Sequence, residues 1–285
     1  MAGYENLYWW SRDGIRLHAR DYSGDPAKVP LICLPGLTRN ARDFHDFAIA
    51  QAGSRRVIAV SFRGRGESGY AKDPMSYVPL TYMQDLEVLL GEQEIERFVS
   101  VGTSLGGIVT MLLAAADRGR IAGAVLNDVG PEIEAAGLHR IRGYVGRGSS
   151  CPTWLHAART LQDNNREVYP DWALEDWLGM AKRLYRLTGA GRIVLDYDLR
   201  IAEPLRVPGA EAGPDMWSAL DGLGDTPVLV VRGAKSDVLG QATAERMVER
   251  LSGADLVSVP GVGHAPTLAE PEVAEALERL LARVG

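Results

Sequence analysis

The chain has 285 residues, of which 46% are hydrophobic and 24% are charged, which is ordinary for a globular protein and enough for one large domain with an inserted subdomain. A net charge of −6 gives no support for nucleic acid or an anionic membrane as a partner, and two cysteines imply no disulfide framework. The N-terminal residues lack a signal-peptide pattern, and no apolar run is long enough to cross a bilayer. We therefore expect a cytoplasmic protein.

The first elements form a β-hairpin in this interpretation. Residues 8–10 and 15–22 are rich in strand-forming residues and flank Asp13 and Gly14, a typical hairpin turn. Apolar and polar residues alternate from Ile15 onward, which predicts a strand with one wet face. His18 falls on the polar face, so we expect it at the surface.

Buried strands and helices then alternate along the chain. Continuous apolar runs predict strands that are covered on both faces, and the segments between them have the spacing of helices. This alternation predicts an α/β fold with a mostly parallel central sheet and helices on both faces. The predicted strands are residues 30–34, 56–61, 98–101 and 121–126, and the predicted helices between them are residues 41–52, 82–90 and 107–117.

A glycine-rich segment at residues 64–69 matches G-x-G-x-x-G, the dinucleotide-binding pattern. That pattern requires a helix to begin at once, so that the helix N-terminus meets a pyrophosphate. Here residues 70–74 have the composition of a turn. We therefore expect no nucleotide at this loop and no cofactor in the protein.

The most informative stretch is Gly-Thr-Ser-Leu-Gly at residues 102–106, a G-x-S-x-G match between a predicted strand and a predicted apolar helix. This context holds a serine on a sharp, strained turn with its hydroxyl exposed above the sheet. Gly102 and Gly106 provide the close packing that such a turn needs. Ser104 is therefore the predicted nucleophile; the alternative is a glycine-rich turn that only packs a helix on a sheet.

The alternation stops between residues 131 and 226, where several helical patterns occur without a convincing buried strand, among them predicted helices at residues 153–161 and 172–187. We predict that residues 131–226 form a helical cap inserted into a core made of residues 1–130 and 227–285. Trp154 and Trp177 in this segment are candidates to line a substrate pocket. The alternative is that the tryptophans form the cap's own small core.

The alternation returns with predicted strands at residues 227–232 and 254–259 and a final helix at residues 270–284. His264 lies in a loop after the last strand, where it can serve as the base that activates Ser104. Two residues can orient its imidazole. Asp237 lies five residues beyond its strand, far enough to turn back over the sheet, and is preferred. Asp128, close to the end of the strand at residues 121–126, is the alternative acid.

These motifs, with Leu-Pro-Gly-Leu at residues 34–37 and Arg-Gly-Arg-Gly-Glu-Ser at residues 63–68, resemble those of the α/β-hydrolase superfamily. The resemblance covers most of the chain outside the cap. It implies the α/β-hydrolase fold, the order Ser104, Asp237, His264, and an oxyanion hole made of the backbone N–H groups of Leu37 and Leu105. Many members have His-Gly where this chain has Pro35 and Gly36, so any contribution of that histidine is absent.

A serine at the elbow disfavours the halide- and epoxide-directed chemistry of members that use aspartate there. The resemblance then implies hydrolysis of a carboxylic ester of a small, largely apolar substrate through an acyl-enzyme, without a metal. A lactonase or C–C bond hydrolase with the same residues is the first alternative, and a ligand receptor with little turnover is the second. The expected partner is a small ester or lactone; a homo-oligomer is left open.

Overall fold

A computed structural model describes residues 3–148, 150–207 and 214–284. The remaining residues, 1, 2, 149, 208–213 and 285, fall within the ranges predicted for the core and the cap and lie outside the described residues.

The strands of the described residues form one large sheet and one small hairpin. The large sheet has eight strands in the order β1-β2-β4-β3-β5-β6-β9-β10, and β7 pairs with β8. The strands β1 and β2 pair antiparallel, as do β2 and β4, and every other pair in the large sheet is parallel. The bounds are β1 Glu5–Trp10, β2 Arg16–Tyr22, β3 Leu31–Leu34, β4 Val57–Ser61, β5 Phe98–Thr103, β6 Ile121–Asn127, β7 Tyr185–Leu187, β8 Ile193–Leu195, β9 Val228–Gly233 and β10 Ala254–Val259.

Helices cover both faces of the large sheet, so the predicted class of fold is confirmed. Side chains from α2, α3 and α8 join one apolar core, and side chains from α9 and the region of α1 join a second core on the opposite face. Strands such as β3 and β4 are buried at every position because both of their faces are covered. The bounds are α1 His45–Gln51, α2 Pro79–Glu92, α3 Leu105–Ala116, α4 Ala135–Tyr144, α5 Trp154–Asn165, α6 Leu174–Leu184, α7 Met216–Leu220, α8 Gln241–Arg250 and α9 Pro271–Ala282.

The segment between β6 and β9 contains α4 to α7, and also the hairpin of β7 and β8, which the sequence pattern did not predict. The pattern indicated one helix across residues 172–187. In the structure α6 ends at Leu184, because Tyr185 begins a strand that pairs with Leu195. Acidic residues in the first turn of α6 and basic residues in its last turn match the helix dipole over this shorter span.

His18 differs from its predicted position at the surface. Its side chain is 2% exposed, because β2 lies inside the sheet between β1 and β4. The ring Nε2 donates to Asn6 Oδ1 over 2.9 Å. Burial lowers the pKa of His18 to about 4, so this imidazole is neutral at pH 7.

Polar contacts join the segment between β6 and β9 to the core. Arg42 pairs with Asp196 and donates from Nε to the carbonyl of Arg183 over 2.9 Å, and the Gly66 N–H donates to the carbonyl of Asp196 over 2.9 Å. None of the helices in the described ranges combines the length and the hydrophobicity that crossing a bilayer requires.

Candidate active site

Ser104 lies at the turn between β5 and α3. Its backbone has φ 52° and ψ −115°, in the left-handed half of conformational space that a non-glycine residue rarely adopts. A Cβ on Gly102 would lie 2.6 Å from backbone atoms of Gly106, and one on Gly106 would lie 2.0 Å from the carbonyl oxygen of Leu34. The two glycines therefore let the helix approach the sheet closely enough to hold Ser104 in this strained turn.

His264 lies between Ser104 and an aspartate. Its Nε2 is 3.0 Å from Ser104 Oγ, and its Nδ1 is 2.7 Å from Asp128 Oδ2. The side chain of His264 is 11% exposed and that of Asp128 is fully buried. An imidazole held in this way carries its proton on Nδ1, toward the carboxylate, and leaves Nε2 free to accept the serine proton.

Asp128 follows directly after β6, the strand next to β5, and adopts φ 56°. Short polar side chains such as aspartate tolerate this left-handed conformation better than most. Its Oδ1 accepts from the Gly233 N–H over 2.8 Å, and its Oδ2 accepts from the Ser236 hydroxyl over 2.5 Å. With His264 as the third partner, the buried carboxyl group has three hydrogen bonds, which offset the cost of removing it from water.

The predicted pairing of Asp237 with His264 is wrong. Asp237 accepts two hydrogen bonds from Arg140, from Nε over 2.6 Å and from Nη2 over 2.7 Å. These bonds are the largest cause that lowers the pKa of Asp237 below its ordinary value. The loop after β9 turns outward to α4, and its Ser236 reaches back to Asp128 instead. The arginine on α4 that redirects this loop is far away in sequence, so loop length alone could not locate it.

The loop after β3 lies beside the nucleophile. A Cβ on Gly36 would be 3.7 Å from the Cβ of Ser104. The Leu37 carbonyl accepts from Arg65 Nε over 2.9 Å, and this arginine is fully buried. Leu105 is the first residue of α3, directly after Ser104. The two backbone positions that the sequence indicated for an oxyanion hole therefore flank the serine from the loop and from the helix.

A cavity of about 550 Å³ opens above Ser104 and His264. Its walls come from the loop after β3, from α4, α5 and α6, and from the loop that carries His264. The aromatic residues that line it are Phe44, Tyr144, Tyr169, Trp172, Tyr185 and Tyr197.

Trp154 and Trp177, the predicted substrate-binding tryptophans, do not line this cavity. Trp177 is 1% exposed and packs with Met180 and Ala181 in the apolar core of the segment, and Trp154 packs against the same core. The reason is the spacing along α6, which places Trp177 on the face that meets α5. Trp172, which precedes the start of α6, lines the cavity and stacks on Tyr169 with ring centroids 4.0 Å apart.

Tyr169 also holds the loop of His264. Burial raises its pKa to about 12, so the hydroxyl stays protonated and donates to the Ala265 carbonyl over 2.6 Å. The Gly263 N–H donates to the Val168 carbonyl over 2.9 Å. The sequence interpretation missed this tyrosine; the only available signal was an aromatic residue close to Trp172.

Charged groups also line the cavity. Burial would lower the pKa of Arg39, but the nearby carboxylate of Asp43 holds it above its ordinary value. Across the described residues, no group of three or more His, Cys, Asp or Glu side chains is arranged to hold a metal ion.

Comparisons with known proteins agree with this geometry. Residues 31–276 match the model of the alpha/beta hydrolase family. A crystal structure of an alpha/beta hydrolase from Novosphingobium aromaticivorans superposes with a TM-score of 0.95 and 57% identity, covering 99% of each chain.

Two curated relatives are similar over most of their length. The chain is 35% identical to a 3-hydroxybutyrate-oligomer hydrolase of Cupriavidus necator, over 90% of each protein. It is 24% identical to a 2-(acetamidomethylene)succinate hydrolase of Mesorhizobium japonicum, over 91% of this chain and 88% of that protein. By its sheet, its serine turn and these similarities, the chain belongs to the alpha/beta hydrolase family and is a hydrolase.

Proposed function

We propose that this protein hydrolyses carboxylic esters through an acyl-enzyme on Ser104, with His264 as general base and Asp128 as the acid that orients it. The observation that carries the proposal is the unbroken contact from Asp128 to His264 to Ser104, over 2.7 and 3.0 Å, at the floor of a cavity of about 550 Å³. A nucleophile, its base and the residue that orients the base are the minimum that acyl transfer by serine requires.

In the first half of the reaction, Ser104 Oγ attacks the carbonyl carbon while Nε2 of His264 takes the hydroxyl proton. The negative charge that forms on the carbonyl oxygen is stabilised by the N–H groups of Leu37 and Leu105, each of which contributes roughly 3 kcal/mol. The tetrahedral intermediate then breaks its bond to the alcohol oxygen, which receives the proton from His264. The alcohol leaves, and the acyl group remains on Ser104.

In the second half, water replaces the alcohol. His264 accepts a proton from the water as its oxygen attacks the acyl carbon, and then returns that proton to Ser104 Oγ as the acid departs. Asp128 stays ionised throughout and stabilises the imidazolium that exists in each half. Its burial supports this role, because a charge–charge interaction is stronger where water is excluded.

We also propose that residues 131–226 act as a cap that selects the substrate. The support is that α4, α5 and α6 supply the walls of the cavity opposite Ser104. The contacts that Tyr169 and Val168 make with the loop of His264 give the same segment a second role, which is to hold the base in place.

The favoured substrate class is an ester of a short hydroxy acid. The support is the 35% identical relative named for 3-hydroxybutyrate oligomers, in which hydroxy acids are joined by ester bonds. A lactone or an activated C–C bond requires the same attack by Ser104 on an acyl carbon, so both remain alternatives to be separated by assay. The support for turnover over a ligand receptor is the complete set of reacting groups at the cavity floor.

The test is a panel of nitrophenyl esters, 3-hydroxybutyrate dimers and trimers, and five- and six-membered lactones, each incubated with the wild type and with Ser104→Ala. We expect the linear hydroxy-acid esters to be cleaved fastest, and Ser104→Ala to lose at least ~10³ of kcat while keeping its circular dichroism spectrum.

Two outcomes would contradict the proposal. Turnover by the alanine variant close to that of the wild type would show that Ser104 is not the nucleophile. Cleavage of lactones alone would move the activity to the alternative class.

A further inference from the structure

The cavity above Ser104 has a cationic wall. Four arginines line it, and Asp43 is the one carboxylate side chain among the described lining residues. An apolar ester would gain nothing from this arrangement, and desolvated guanidinium groups are costly unless something pairs with them. The four arginines are Arg39, Arg140, Arg147 and Arg183.

The carboxylates available nearby do not balance these charges. Arg140 is fully paired with Asp237 through two hydrogen bonds. Asp43 is shared, because its Oδ2 lies 2.6 Å from Arg39 Nε and its Oδ1 lies 3.7 Å from Arg183 Nε.

The remaining neighbours do not restore the balance. Arg183 also lies 3.7 Å from Asp46, but that carboxylate is 80% exposed and is screened by water. Arg147 forms no ion pair with any described residue. The cavity therefore keeps an excess of positive charge.

Arg39 is the cation that lies beside the nucleophile. A Cβ added to Gly36 would lie 3.4 Å from Arg39 Cγ and 3.7 Å from Ser104 Cβ, so these two side chains both lie close to Gly36. The stem of Arg39 thus runs along the same loop as the proposed oxyanion donor. Asp43 Oδ2 lies 2.6 Å from its Nε, and neither Nη1 nor Nη2 donates a hydrogen bond to a described residue. Its side chain is 26% exposed and lines the cavity.

We propose that Arg39 binds a carboxylate of the substrate, so that the enzyme prefers esters that carry a free acid group a short spacer away from the scissile carbonyl. The inference rests on the proposed ester hydrolysis and assigns the residue that recognises the free acid group of such a substrate. The terminal amino groups of a guanidinium match the two oxygens of a carboxylate in geometry and charge.

A local cation is needed for this selection because the whole chain carries a net charge of −6 and does not attract anions by its overall field. A charge-assisted hydrogen bond corresponds to ~10- to ~100-fold in specificity. The preference is therefore measurable with a pair of substrates that differ only in the charge of one group.

The test uses the linear dimer of 3-hydroxybutyrate as its free acid and as its terminal primary amide. The two share the scissile ester and nearly the same shape, and only the acid is charged. We expect kcat/KM of the wild type to be ~10- to ~100-fold higher for the acid. Arg39→Gln should bring this ratio close to one, and Arg39→Lys should retain part of it because the charge remains without the planar fork.

Two kinds of control accompany these variants. Arg12→Gln replaces a side chain that is 67% exposed and outside the cavity, and it should keep the ratio of the wild type. Arg147→Gln and Arg183→Gln test the other cavity cations. Arg39→Lys keeps the experiment decisive if Arg39→Gln does not fold, since a ratio equal to that of the wild type in the lysine variant would contradict a guanidinium contact.

The proposal fails if the wild type does not distinguish the acid from the amide, or if the ratio is lost in Arg147→Gln or Arg183→Gln and kept in Arg39→Gln. Calorimetric binding of both compounds to Ser104→Ala separates this failure from failure of the proposed function. Tighter binding of the acid that depends on Arg39, without turnover by the wild type, would uphold the carboxylate site and reject ester hydrolysis. Turnover of both compounds at equal rates would uphold ester hydrolysis and reject the carboxylate site.

Discussion

Replacing Asp128 by asparagine tests the site most directly, because it removes one charge and keeps the shape. The carboxylate accepts from Gly233 N–H, from the Ser236 hydroxyl and from His264 Nδ1. An amide has one oxygen with which to accept, so its NH₂ group must face a neighbour that donates. The imidazole relieves this conflict by moving its proton to Nε2, and it can then no longer accept the proton of Ser104.

The expected loss of kcat is ~10⁴, which corresponds to about 5.5 kcal/mol in activation free energy. Asp237→Asn is the matched control, since it makes the same chemical change at the acid that the sequence favoured. The Asp237 side chain is 32% exposed and pairs with Arg140, so this ion pair contributes no more than ~1 kcal/mol to the stability of the fold. We expect this variant to keep kcat within about fivefold of the wild type.

The assay is steady-state hydrolysis of the best nitrophenyl ester, with circular dichroism and a thermal melt on each variant. A folded Asp128→Asn enzyme that keeps more than about a tenth of kcat would refute the proposed role of Asp128. A large loss in Asp237→Asn, with a small one in Asp128→Asn, would return the acid to the loop after β9.

Two further predictions concern stability. Gly106→Ala would place a Cβ 2.0 Å from a backbone oxygen of the neighbouring strand, so it should lower the free energy of unfolding in urea by more than ~2 kcal/mol. Gly91→Ala, in open space within α2, should raise that free energy by up to ~1 kcal/mol. Equal effects of the two substitutions would refute the packing argument. The pKa of His18 is lowered to about 4, so between pH 6.5 and that value the unfolded chain binds more protons and stability falls as pH falls. Urea unfolding of His18→Gln at pH 7, 5.5 and 4.5 should show a shallower loss than the wild type, and parallel curves would exclude His18 as its source.

The sheet and the serine turn were predictable because their causes are local. The two glycines around Ser104, the apolar strand before it and the apolar helix after it are all within a dozen residues, and each has the same meaning in any parallel sheet. The place of His264 was predictable for a related reason, since loops at the carboxyl ends of parallel strands in one sheet meet at the same edge.

The position of the acid beside His264 and the structure of the segment between β6 and β9 depend on tertiary contacts, which cannot be deduced from spacing along the sequence. Asp237 is drawn away by Arg140, a residue 97 positions earlier, and the freed place beside His264 is occupied by Asp128. The hairpin that begins at Tyr185 has strands of three residues, too short for periodicity to distinguish from the end of a helix. His18 alternates as a surface residue does, but neighbouring strands on both sides of β2 bury it.

The contacts of the loop that carries His264 connect the wall of the cavity to the proposed catalytic base. The sheet and the segment between β6 and β9 both hold this loop: Asn127 Nδ2 donates to the Pro266 carbonyl over 2.9 Å, and Tyr169 donates to the Ala265 carbonyl over 2.6 Å. Tyr169 also lines the cavity, so the side chain that would meet a substrate bound there is hydrogen-bonded to the residue next to His264. A misplacement of about 1 Å can cost ~10² in rate. Changes in this part of the cavity should therefore alter kcat together with specificity, whereas changes at the far wall, around Thr160 and Asn164, should alter specificity alone.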